Sequence, residues 1–232
     1  MRLRSRHAMD WQAIILSVEL ALATLAVLLP LAAVTARWLA VTRFRGKAWI
    51  EGLLALPLVL PPTVIGYYLL IAMGGQSPLG QWFESLTGHT LTFSFSGLVL
   101  ASVLFNIPFA VQPMQRAFEA ITPEVREAAQ CCGLTLMRTL YRIELPLAWP
   151  GILSACVMTF AHTLGEFGVV LMVGGSIPGE TRTIAISIYD RTQSFDHASA
   201  GAMAGLLLVV SLVTIAVSYG LVERLMRRRR AV

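Results

Sequence analysis

The chain has 232 residues, 56% hydrophobic and only 13% charged, with a net charge of +5 and a mean hydropathy of +0.70. A soluble domain carries about one quarter charged residues, so an ordinary water-soluble fold is excluded, and the strand alternation of a membrane β-barrel is absent. Three cysteines, Cys131, Cys132 and Cys156, lack disulfide-framework and metal-ligand spacing and read as small residues in helices.

Five stretches, roughly 11–36, 50–73, 93–113, 149–173 and 198–222, are long and apolar enough to cross a bilayer, which takes about 20 residues as a helix. Backbone groups in lipid must be satisfied within their own segment, so these are helices. The expected fold is an all-α polytopic membrane protein, one transmembrane domain over 1–232 with no soluble domain of useful size.

The first apolar run is too long for a signal-peptide core of about 7–15 residues, so it reads as retained. The second contains Pro57, Pro61 and Pro62, followed by Thr63. Each proline removes a backbone donor and clashes one turn back, so the helix is predicted to kink or break near Pro61-Pro62. The bend is either a packing kink or part of a pathway lining. The third span carries Asn106, Pro108 and Gln112, amides that join helices or line a path.

Residues 114–148 form the longest polar stretch. Thr122-Pro123-Glu124 reads as an N-cap, a first-position proline and an acidic first turn. Gly133 sits where such a helix stops in the left-handed conformation. Thr135 caps a second short helix, expected to end just before Pro146. Ala128 and Ala129 are small enough to let another surface approach. Glu119, Glu124, Glu127 and Glu144 offset the four arginines of this stretch, so a protein partner fits it and nucleic acid does not.

In the fourth span His162 and Glu166, with Thr163 and Gly165 between them, lie one turn apart and share a face. Ionisable groups in a span point to the bundle interior or a cavity. Here they make a buried hydrogen-bonded pair or a gate. The following loop, Gly174 to Thr183, mixes glycine, Pro178 and charge. It is a plain turn, a gate or a docking surface.

Lysine and arginine beside the spans report orientation. Arg37, Arg43, Arg45, Lys47, Arg116, Arg126, Arg138, Arg142, Arg224 and Arg227 to Arg230 fall on one side, against Arg182 and Arg191 on the other. The richer side is expected to be cytoplasmic, with the C-terminus inside. Five spans then put Arg2, Arg4 and Arg6 outside, against the rule, and a start at Met9 removes the conflict. The only lysine, Lys47, stands in Arg45-Gly46-Lys47-Ala48, so there is no phosphate-binding Gly-x4-Gly-Lys loop. Any nucleotide chemistry must come from a partner.

Glu127-Ala128-Ala129, Gly133, Ile143, Leu145 and Pro146 stand at the spacing Glu-Ala-Ala-x3-Gly-x9-Ile-x-Leu-Pro. This resembles the signature of the membrane-spanning subunits of binding-protein-dependent ABC importers. Leu56 to Pro62, Gly165-Glu166-Phe167-Gly168 and Ile177 to Ile184 are similar to the molybdate permeases. Sulfate and thiosulfate permeases share the last two elements but typically differ just after Pro178-Gly179, and Glu180-Thr181-Arg182 tips the comparison towards molybdate.

The resemblance implies a type I importer permease fold. It implies that the Glu-Ala-Ala segment docks on a cytoplasmic ATPase dimer, which binds ATP and magnesium, while this chain holds no cofactor and no metal and is not itself an enzyme. It also implies a periplasmic molybdate-binding protein docking near Pro178, Gly179, Glu180 and Arg182. A second copy of the chain, a pathway or gate at Pro61 to Thr63 and His162 to Glu166, and a bacterial inner-membrane location complete the expectation. Tungstate, sulfate or thiosulfate as cargo is the alternative. A secondary transporter would need inverted repeats and a midplane ion site, and no convincing halves are present.

Overall fold

The computed structural model describes residues 9–230, with side chains of the last helix as far as Val217. The tail carrying Arg2, Arg4 and Arg6 lies outside the described residues, as do the side chains of the basic C-terminal run.

Helix α1 (Trp11–Val41) starts where Asp10 Oδ1 accepts the Ala13 N–H at 3.1 Å. Leu28, Ala32, Ala36 and Leu39 form one buried stripe, spaced at helical period. They pack on Val111, Met114 and Phe118 of α5 (Phe95–Glu119) and on Ala148 and Ala155 of α8 (Leu145–Gly165). Other faces of α1 expose Ile15, Leu22, Leu31 and Val34, as suits a helix in lipid. Helices α5 and α8 cross at Gly151, where a Cβ would run into Ala117 and the Pro113 carbonyl. Small residues let backbones approach this closely in membranes.

The second apolar stretch is two helices, α2 (Lys47–Val59) and α3 (Pro62–Met73), meeting at 109°. Leu60 and Pro61 are extended. Pro62 opens α3, a position where its missing N–H costs nothing. The break therefore falls at the predicted prolines. Among the described residues, four helices are long and apolar enough to cross a membrane, or five if this bent pair counts as one.

Two boundaries differ from the sequence reading. The stretch 149–173 is not one helix. Helix α8 stops at Gly165, Glu166 is extended, and α9 (Gly168–Gly174) begins afresh. The second short helix of the polar stretch does not end before Pro146. Helix α7 (Leu136–Thr139) runs through a π-helical turn, Leu140–Glu144, straight into α8. The Leu145 N–H reaches back to the Leu140 carbonyl, an i→i+5 bond that adds a residue to the turn. That wider turn leaves room for the ring of Pro146 in a continuing helix.

A short helix, α4 (Pro78–Thr87), joins α3 to α5. Helix α10 (Ile184–Gln193) is tied to α1 by two bonds. The Ile184 N–H donates to Ser17 Oγ at 2.8 Å, and Ser187 Oγ to Asp10 Oδ2 at 3.0 Å. Helix α11 (His197–Arg230) ends the chain's described part, apolar from His197 to Val217.

Candidate functional site

The first helix of the polar stretch begins where the sequence predicts, but the Thr122 side chain caps no backbone N–H. Helix α6 (Pro123–Cys131) follows extended Thr122, with Pro123 at its first position. The Thr122 hydroxyl and the local backbone N–H hold the Glu124 carboxyl below the usual range. Its charge supports the helix start at neutral pH and is lost as acid takes the pH through that lowered value. Gly133 has φ +79°. The Leu134 N–H returns to the Ala129 carbonyl at 3.1 Å, the glycine-dependent stop that satisfies the last turn. Glu127 and Ala128 are exposed on α6, whereas Ala129 is buried. Ile143 lies in the π turn, and Leu145 and Pro146 open α8.

One group that the sequence offers only as a balancing charge of this stretch dominates its electrostatics. Glu144 is 0% exposed. Its Oε2 accepts from Arg37 Nε of α1 and its Oε1 from Arg126 Nε of α6 at 2.8 Å. Arg126 also donates through Nη1 to the Ile121 carbonyl and through Nη2 to the Phe118 carbonyl, both at 2.8 Å. A buried carboxylate needs such charge-assisted partners. An acid between Ile143 and Leu145, at the mouth of an apolar run, was the available signal. Its partners, distant in sequence, were not legible.

The second cluster joins the two helix breaks. Glu166 Oε1 accepts the Val169 N–H at 2.8 Å, so the carboxylate caps the start of α9. It does not pair with His162, the partner that the shared helical face suggested. His162 Nδ1 stands 3.0 Å from Asn106 Oδ1, and Asn106 Nδ2 donates to the Ser102 carbonyl at 2.8 Å. The amide oxygen is thereby left to accept, and the imidazole proton sits on Nδ1. Phe109 stacks on the imidazole, with ring centroids 4.0 Å apart, and Phe105 lies at 5.1 Å. His162 thus ties α8 to α5.

The break in the second stretch lies against the break in the fourth. A Cβ on Gly168 would stand 2.8 Å from Pro62 Cβ, and one on Gly66 would stand 2.7 Å from Met172 Cβ. Both glycines are needed for α3 and α9 to touch. Gly165 has nothing within 4 Å of an added Cβ. Pro61, Pro62 and Thr63 are exposed in the single chain, and Thr163 bonds back to the Thr159 carbonyl at 2.8 Å.

The loop between α9 and α10 is an ordered turn. Thr181, fully buried, donates to the Gly174 carbonyl at 2.7 Å and accepts the Ile177 N–H at 3.1 Å. Gly179 takes φ +79° at the tip. Arg182 Nε donates to Ser176 Oγ at 3.0 Å and lies 3.6 Å from Asp190. Pro178, Gly179 and Glu180 are left exposed. Among the described residues no group of three or more His, Cys, Asp or Glu is placed to hold a metal ion.

Residues 13–229 match the family described as binding-protein-dependent transport system inner membrane component. The chain is 46% identical over 210 residues to the molybdenum transport system permease protein ModB of Azotobacter vinelandii, covering 90% of this chain and 93% of that one. It is 31% identical over 171 residues to the sulfate transport system permease protein CysT of Escherichia coli K12, covering 74% and 61%. In fold it is similar to a crystal structure of a bacterial ABC transporter that imports the acidic polysaccharide alginate. The TM-score is 0.75 at 18% identity, covering 95% of this chain and 80% of that chain.

Proposed function

The chain belongs to the family of binding-protein-dependent transport system inner membrane components, and from that premise we propose that it is the permease subunit of an ATP-driven molybdate importer. The observation that carries the reading is α6. It is a short, Schellman-stopped helix that presents Glu127 and Ala128 outside the apolar spans. A separate ATPase dimer docks there, binds ATP with magnesium and hydrolyses it. This chain supplies no cofactor of its own. The higher identity to a molybdenum permease than to a sulfate permease supports molybdate as the cargo.

Two copies of the chain, related by a two-fold axis, enclose the path between them. The basic loops and the C-terminus face the cytoplasm, following the lysine and arginine bias. The loop of Pro178, Gly179, Glu180 and Arg182 receives a periplasmic binding protein, which holds the selectivity for the anion.

The cargo is a small tetrahedral dianion, and a carboxylate facing it would repel it, more strongly at low dielectric. Glu166 avoids this by turning its oxygen onto the backbone of α9. Its role is to hold the shape of the gate formed where α3 meets α9. The test is co-purification. The chain isolated from its native membrane is expected to bring a P-loop ATPase with it. Recovery of an intact permease without any such ATPase would overturn the reading.

A further inference from the structure

Helix α6 has little apolar attachment to the rest of the chain. Ala129 is its one buried residue. Its polar attachment is concentrated in Arg126, all three of whose bonds leave α6. One goes to Glu144 in the π turn, and two go to the Phe118 and Ile121 carbonyls at the end of α5. Glu144 in turn holds Arg37, near the end of α1. The π turn continues without interruption into α8. Two spans, α1 and α8, therefore meet α6 at one buried carboxylate, and the end of α5 joins it through Arg126 itself.

We infer that the Glu144–Arg126 pair, with Arg37, is the joint that passes movement of α6 to α1 and α8 through the carboxylate and to α5 through Arg126. The inference rests on the reading of α6 as the segment that docks on the ATPase. An apolar contact slides when pushed. A doubly bonded buried carboxylate does not, because leaving either arginine strands a charge out of water. The two guanidinium Nε atoms occupy both carboxylate oxygens, so the angle between α6 and α1 is fixed as well as their distance. Glu144, Arg126 and Arg37 are positioning residues, since they act through the helices they join.

The test uses the assembled complex in liposomes, with the molybdate-loaded binding protein outside and ATP supplied to the ATPase side. Molybdate uptake and phosphate release are measured together. Glu144→Gln keeps the volume and one acceptor but removes the charge. The expected result is a fall of about tenfold in molybdate imported per ATP hydrolysed, within the range of ordinary coupling between sites. Arg126→Lys keeps the charge but cannot reach three acceptors in different directions, and is expected to lower the same ratio by a smaller factor.

An unchanged ratio in Glu144→Gln, with only lower yield or melting temperature, overturns the inference in favour of a purely structural pair. If that variant does not assemble, Arg126→Lys decides, and an unchanged ratio there overturns it equally. A wild-type complex with no ATP-driven uptake removes the docking reading, and the inference falls with it. Coupled wild-type uptake together with an unaltered Glu144→Gln ratio removes the inference alone.

Discussion

Gly168→Val is expected to reduce uptake by about one to two orders of magnitude while the complex still assembles. A Cβ at this position already stands 2.8 Å from Pro62 Cβ, and valine adds two methyl groups beyond it. Overpacking of this kind costs about 1–3 kcal/mol, which the chain escapes by separating α3 from α9. Separation moves the two breaks, Pro61-Pro62 and Glu166-Phe167, apart, and with them the geometry of the proposed gate. The measurement is uptake beside the elution volume and melting temperature of the complex. Gly165→Ala is the internal comparison within the same Gly-Glu-Phe-Gly element. Its added Cβ meets nothing within 4 Å, so it is expected to have the smaller effect. Equal loss in both variants would contradict the contact account, and so would normal uptake by Gly168→Val.

Ala128→Trp is expected to abolish recovery of the ATPase with the permease and leave the permease itself folded. Ala128 is exposed on α6, so a large side chain there meets no neighbour within the chain. On the proposed docking of α6, it stands where the partner's surface approaches. Loss of a well-packed interface contact costs about 2 kcal/mol or more, and an indole that holds the two surfaces apart costs at least that. Ala129→Trp differs in kind. Ala129 is 5% exposed, so that change damages packing inside the chain and lowers the yield of the permease itself. Quantifying ATPase per permease after purification separates the two. An Ala128→Trp permease that retains a full complement of ATPase would place the docking surface elsewhere.

The parts of the architecture governed by local rules were legible. Long apolar runs gave helices, and Pro61-Pro62 gave a break. Pro123 and Gly133 gave the start and stop of α6, because a first-position proline and a left-handed turn depend on adjacent residues. The failures share one cause. Glu166 breaks the fourth stretch because its carboxylate takes the Val169 N–H, and the hydropathy of 149–173 gives no hint of that. Pro146 looked like a terminator, yet the π turn widened the helix ahead of it. Sequence rules assume an i→i+4 ladder and misjudge a proline that follows an inserted residue.

The site was half legible for a similar reason. Glu127, Ala128 and Gly133 could be placed by spacing along one short segment. The grip of Arg37 and Arg126 on Glu144 spans 107 and 18 positions, and nothing in the chain's order reports it. His162 and Glu166 share a helical face, which suggested a pair. Each found a nearer partner, His162 in Asn106 of α5 and Glu166 in the backbone just ahead of it.

The most direct measurement is ATP hydrolysis by the purified complex in liposomes, with its binding protein presented loaded with molybdate or with sulfate. Stimulation by the molybdate-loaded protein and none by the sulfate-loaded one is the expected result. Stimulation by the sulfate-loaded form alone would contradict the cargo, and no stimulation by either would contradict the importer itself.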